Sequence, residues 1–253
     1  VRQKKKIKFS RTGRNKRITV ITPSYRINNL IKIKKSINFN YIDEWIIVYD
    51  GTIVRKNPHL FKDTEKIKEY LVAPAFKDFN PHQRQTVMRN YALDKVSHKN
   101  TYIYYLDDDN TIHPNLYKLL DRAEGGKLYT FNQQWYSVRG YVGKGGVTRY
   151  RRTFRSTRPY CRCKGREWRH LSISQRARSK HIRHRCVWGD TGQMLIDYSI
   201  CADIRWDEDF ENSADGNYIK ECYKQNQDSW VYIDDTLCYH NSLRPVPPNK
   251  VPK

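Results

Sequence analysis

Three consecutive aspartates, Asp107, Asp108 and Asp109, stand with Asn110 directly after the apolar run YIYYL at 102–106. Carboxylates packed side by side repel one another, and burying one without a partner is costly. The simplest neutraliser is a hard divalent cation, Mg2+ or Mn2+, which prefers oxygen ligands. A cation held there would in turn hold a diphosphate. DDDN is also good composition for a solvated acidic turn. The placement matters, because α/β folds build their sites at the ends of strands.

The elements around the aspartates support that placement. ITVITPS (18–24), WIIVYDG (45–51), YLVAP (70–74) and IYYL (103–106) read as short buried strands. Helical spacing is clearest in NLIKIKKSI within 27–40, and HQRQTVMRNYALDKVS (82–97) reads as an amphipathic helix with Val87, Tyr91 and Leu93 toward one side. Strand, helix, strand, strand, helix, strand is the grammar of an α/β sheet, mostly parallel and flanked by helices. Three strands then end in polar residues on one edge: Thr22-Pro23-Ser24, Asp50-Gly51 and the aspartates. Further on, 128–138 reads as a strand, GKGG (143–146) as a turn, 214–225 as a helix and 230–240 as a strand region.

The formal net charge of +22 ordinarily suggests an anionic partner. Its distribution qualifies that. Residues 1–17 carry nine Lys/Arg and no acid, and 147–186 carry fourteen against Glu167 alone; elsewhere 25 basic residues face 25 acidic ones. The basicity belongs to a tail and one internal segment, not to the fold. Organisation is therefore expected as a basic tail (1–17), a first half (18–115), a second half (116–243) with a basic insert at about 147–186, and a Pro-rich tail (244–253). The six cysteines show no CxxC pair, and most are expected reduced. No apolar run approaches a membrane span, and the basic start lacks the apolar stretch of a signal peptide. A soluble protein, cytoplasmic or peripheral, is expected. The abundance of Ile, Lys, Asn and Tyr suits an AT-rich genome, bacterial or viral.

The order TPSYR, VYDG, RNYAL and YYLDDDN resembles the glycosyltransferases of the nucleotide-sugar-binding GT-A fold, above all family 2, with a metal-binding DxD. The string QRQTVMRNYALD with YYLDDDNT is also similar to the eukaryotic glucuronyltransferases. The match covers 18–115 well and 187–240 more loosely, while 116–186 match no pattern. The resemblance implies that Thr22, Pro23 and Tyr25 line a nucleobase pocket and that Asp50 bonds the uracil or its surroundings. It implies Arg89 near the base or phosphates, Asp107 and Asp108 facing ribose and sugar, and Asp109 on the metal. Asp215 in ENSADGNYI matches the general base of inverting members, with Glu211 in reserve; many members have Glu-Asp where this chain has Ala214-Asp215. By its residue type alone, Asp215 at a helix start could equally be a cap. His240 matches a histidine that completes the metal site or touches the diphosphate. VWGDTGQML (187–195) resembles a closing loop in which Trp188 could stack on a sugar, Asp190 could bond its hydroxyls, and Gly189 and Gly192 permit close approach.

The implied function is metal-dependent, inverting transfer of a sugar from a nucleotide diphosphate sugar, UDP foremost, to an acceptor hydroxyl on a glycan, protein or lipid. The basic segment admits three readings: a solvated loop, a zinc site from Cys161, Cys163, His170, His181, His184 and Cys186, or a contact for an anionic acceptor, nucleic acid or membrane surface. Two other functions fit parts of the chain. LDDDNT fits the DxDxT of haloacid-dehalogenase-type phosphatases, with Asp107 as nucleophile, Asp109 as acid/base and IDDT (233–236) as later acids. That motif normally opens its domain, and here about a hundred residues precede it. A nucleic-acid-binding protein would explain the charge and leave the aspartates without a role.

Overall fold

The computed structural model describes residues 16–55, 59–61, 64–72, 79–142, 148–157, 191–208 and 214–243. The chain runs β1 (Arg17–Ser24), α1 (Ile27–Ser36), β2 (Ile42–Asp50), β3 (Ile67–Val72), α2 (Pro81–Asp94), β4 (Thr101–Tyr105), β5 (Thr111–Ile112) and α3 (Asn115–Leu120). It continues through β6 (Leu128–Val142), β7 (Thr148–Thr157), β8 (Met194–Asp197), α4 (Tyr198–Cys201), α5 (Ala214–Gln225) and β9 (Trp230–His240).

The strands form one mixed sheet in the order β3-β2-β1-β4-β8-β6-β9-β5, with β7 pairing β6 off that path. β3, β2, β1 and β4 pair in parallel, as the alternation of strands and helices predicts. β8 enters antiparallel between β4 and β6, and β6 and β9 again run with β4. The carboxyl ends of β1, β2, β4 and β9 therefore share one edge.

Strand alternation divides the core into two layers. Ile18 and Val20, Trp45, Ile47 and Tyr49, and Tyr102, Tyr104 and Leu106 pack on one face with Leu30 and Ile33 of α1 and Leu116 of α3. Ile21, Ile46 and Val48, and Ile103 and Tyr105 pack on the other with Met88 of α2 and Tyr218 of α5. A strand covered on both faces needs a continuous apolar run, which is why these segments show no polar alternation.

Several boundaries differ from the expectations. The fold reaches into the basic tail: β1 begins at Arg17, which bonds Asp43 at 2.9 Å, and Lys16 pairs with the fully buried Asp197. Helix α2 is not amphipathic in the simple sense. Residues 86–90 are all buried, so the helix is enclosed on more than one side and carries Arg89 and Asn90 into the interior. The basic segment is in part a strand, since Thr148–Thr157 pairs with β6 over ten positions. Its Cys and His residues lie outside the described residues, as does the GKGG turn. Cys201, Cys222 and Cys238 are buried thiols. Among the described residues no helix is long and apolar enough to cross a membrane.

Candidate active site

The three aspartates do not share one partner. Asp108 is turned inward and is 1% exposed. Its Oδ2 accepts from the backbone N–H groups of Tyr25 (2.9 Å) and Arg26 (2.8 Å) and from the Ser24 hydroxyl (3.2 Å), while Arg26 Nη1 donates to Oδ1 at 2.6 Å. Asn29 Nδ2 donates to the Asp108 carbonyl at 2.8 Å. Asp108 thus pins the loop after β1 to the end of β4. Burial raises its pKa despite Arg26 and the two backbone donors.

Asp107 takes another cation. Arg89, buried in α2, donates from Nη2 to Asp107 Oδ1 at 2.8 Å and from Nη1 to Asp215 Oδ1 at 3.0 Å. Its guanidinium lies 4.5 Å from the ring centre of Trp206, which stacks at 4.2 Å on Tyr218. The next residue, Asn90, accepts from Trp206 N at 2.8 Å and donates to Trp206 O at 2.9 Å. Helix α2 can hold this position because its start is well made: Asn80 and Gln83 form a reciprocal cap around Pro81. Asp215 lies in the first turn of α5, where the helix dipole favours a carboxylate.

A cleft of about 460 Å3 opens at this edge, lined by Tyr25, Arg26, Arg89, Asp107, Asp109, Trp135, Asp215 and His240 among others. His240 ends β9 and packs on Trp135, ring centres 4.1 Å apart, as its opposite number in the strand register. Asn110 fixes the adjoining chain: its Oδ1 accepts from Asn241 N at 2.8 Å, where Asn241 has φ 55°, a left-handed conformation asparagine tolerates. Leu243 N donates to Asp109 O at 2.9 Å. The DDDN loop and the end of β9 are therefore one unit.

Other expected residues lie elsewhere. Thr22 is fully buried and accepts from Trp45 Nε1 at 3.0 Å, and Pro23 is buried beside it. Asp50 ends β2 and is held by Arg84 Nε at 2.8 Å and by the amide and hydroxyl of Thr52. None of the three lines the cleft. The Gly192 carbonyl accepts from the Tyr104 hydroxyl. Trp188, Gly189, Asp190 and Glu211 lie outside the described residues. A two-residue bulge sets Asp234 and Asp235 out of register with β6; they bond Asn132 and Asn115, and neither lines the cleft. The second acid pair of the phosphatase reading is thus not brought to Asp107 and Asp109.

Arg26 and Trp135 are among the cleft residues that sequence reasoning passed over, with Pro81, His82, Gln85 and Asn241. Arg26 carried a signal, as the cation directly after a strand-end motif in a chain that must balance three aspartates. Trp135 carried none, because its place depends on the β6–β9 register.

Asp109 is the unbalanced member. Burial first, then the neighbouring Asp107, push its carboxyl up to about 6, against the opposing pull of Arg26 and His240. Among the described residues, the carboxylates Asp107, Asp108, Asp109 and Asp215 gather with the guanidiniums of Arg26 and Arg89. Among the described residues no group of three or more His, Cys, Asp or Glu is gathered to hold a metal. A cation of the Mg2+ type needs no such group, since it can be bound through one or two carboxylates and complete its shell with substrate phosphate and water. Asp109 and His240 are the residues that would hold it.

No protein-family model and no curated protein matches the chain. Among solved structures, HddC from Yersinia pseudotuberculosis is similar at 7% identity and a TM-score of 0.43, over 90% of this chain and 95% of that one. A likeness of that degree carries no assignment.

Proposed function

We propose that the chain is a metal-dependent, inverting glycosyltransferase of the GT-A type, taking a nucleotide diphosphate sugar, UDP foremost, as donor. The carrying observation is convergence: Tyr25, Arg89, Asp107, Asp109, Asp215 and His240, drawn from five separate elements or their ends, line one cleft. These are six of the residues that the GT-A resemblance singles out.

In this reading Tyr25 supplies an aromatic face for the base, and Asp109 and His240 would hold a divalent cation, which when bound would supply positive charge against that developing on the departing diphosphate. Arg89 sets the distance between the donor side and the base. It holds Asp107, at the end of β4, and Asp215, at the start of α5, on one guanidinium. Asp215 accepts the proton of the acceptor hydroxyl as that oxygen attacks the anomeric carbon. Direct displacement inverts the anomeric centre and needs no covalent intermediate. Asp108 has a supporting role, orienting Tyr25 and Arg26 rather than touching the sugar. The acceptor, whether glycan, protein or lipid, belongs to the second half of the chain, where β6, α5 and β9 border the cleft.

A thermal-shift panel of UDP, GDP, CDP and their common sugars, each with Mn2+ and with EDTA, tests this reading. A metal-dependent rise in Tm with one nucleotide is expected, and the best sugar then identifies the donor. No rise with any nucleotide in the presence of metal overturns it.

A further inference from the structure

Asp109 is claimed twice. It is the carboxylate a divalent cation requires, yet Arg26 Nη1 lies 3.1 Å from its Oδ2 while also bonding Asp108 Oδ1 at 2.6 Å. Arg26 lines the cleft with its side chain 27% exposed, its guanidinium 4.3 Å from the ring centre of Tyr25 and bonded to the Tyr25 hydroxyl. Its backbone is anchored separately, since Arg26 N donates to Asp108 Oδ2 at 2.8 Å. The head of the side chain can therefore leave Asp109 without moving the main chain or surrendering the start of α1.

We propose that Arg26 is the resident counter-cation of the cleft, which keeps a divalent metal off Asp109 until a diphosphate arrives and then binds that diphosphate itself. This rests on reading the cleft as a nucleotide-diphosphate-sugar site. A divalent ion entering alone meets a guanidinium on the same carboxylate oxygen, and like charges at that separation repel strongly in a partly buried setting. A diphosphate changes the balance. Its oxygens offer the planar guanidinium a forked, charge-assisted partner as good as the carboxylates. As Arg26 turns to it, Asp109 is released to the metal. Metal and diphosphate then bind weakly alone and tightly together, and the coupling is reciprocal.

The test uses the full chain and two probes, Mn2+ alone and inorganic pyrophosphate alone, each by calorimetric titration, on wild type, Arg26→Gln and Arg26→Lys. Arg26→Gln is expected to bind Mn2+ at least tenfold more tightly than wild type and pyrophosphate at least tenfold more weakly. Arg26→Lys, with a point charge in place of the fork, is expected to fall between them on both probes. Lys32→Gln on the exposed side of α1 removes the same charge without contact to Asp109 and is expected to stay within twofold of wild type. Mn2+ affinity unchanged or lowered in Arg26→Gln overturns the proposal. If that variant does not fold, unchanged or lowered affinity in Arg26→Lys does so. Equal gains in Lys32→Gln and Arg26→Gln overturn it as well, by reducing the effect to general electrostatics. Neither probe carries a base or a sugar, so failure of the nucleotide panel with these shifts intact sinks the donor assignment and leaves the Arg26 contact standing.

Discussion

Arg89 Nη1 holds Asp215 Oδ1 at 3.0 Å across 126 residues of sequence, with the arginine side chain 4% exposed and the aspartate 31%. The same guanidinium holds Asp107, so a single side chain fixes the separation of the two acidic ends of the cleft. Removing it takes away the cation that bridges the two carboxylates. Arg89→Met is expected to lower stability by about 2–3 kcal/mol, less than for a fully buried pair because both acids touch water. Arg89→Lys is expected to recover only part of this, since an ammonium cannot bridge two carboxylates in the planar fork. Denaturant unfolding of both variants checks the order.

Asp215→Asn keeps the shape of the site and removes the proton acceptor. Nucleotide binding with metal is expected to stay within about threefold of wild type, while transfer falls by about 10²–10⁴. Normal transfer by this variant would remove Asp215 from the role and turn attention to Glu211.

Asp108 and Asp109 are neighbours with opposite expected phenotypes. Asp108→Ala strips the backbone N–H groups of Tyr25 and Arg26 of their acceptor, and a loss of about 3 kcal/mol is expected. Asp109→Ala is expected to leave Tm near wild type or above it and to abolish metal-dependent nucleotide binding. A parallel fall in Tm for both would mean that Asp109 too is structural.

The raised pKa of Asp109 sets the sign of a pH effect. With the folded value about 6 and the usual value 3.8, the folded chain binds this proton more tightly than the unfolded chain. Its contribution to ligand-free stability is fully present below about pH 4 and is lost as pH rises through 6. The Tm of wild type minus that of Asp109→Asn, measured from pH 4 to 8, is expected to fall across that window and then level off. A difference that rises with pH contradicts it.

Lys16 shows where the basic tail stops being a tail. Asp197 is wholly buried and accepts from Gly126 N, Ser199 N and the Ser199 hydroxyl, with Lys16 as its cation. Lys16→Met is expected to cost about 2–3 kcal/mol. Truncation after Arg17, which also removes the first residue of β1, is expected to lower Tm further. Equal Tm for wild type and the truncated chain would return residues 16 and 17 to the tail.

Much of the first half was legible because its signals are local. Apolar runs such as ITVITPS and WIIVYDG can only be buried strands, and their polar last residues must then meet at a shared edge. The helix at 214–225 was legible for the same reason, with Asp215 in its first turn. The β6–β7 pairing was not: a segment with fourteen cations in forty residues reads as solvated, and only the partner strand shows that ten of them continue the sheet.

What the sequence determined by itself is the set of acids and the edge to which they come, since periodicity dictates strands and parallel order dictates which ends coincide. Only the tertiary structure decided which cation answers which carboxylate. Arg26 sits 82 residues from Asp108, and Arg89 sits 126 from Asp215. Coulomb attraction has no sequence period, so these pairings appear once packing has brought the ends together. The same holds for the bulge that carries Asp234 and Asp235 away and for the register that sets Trp135 against His240.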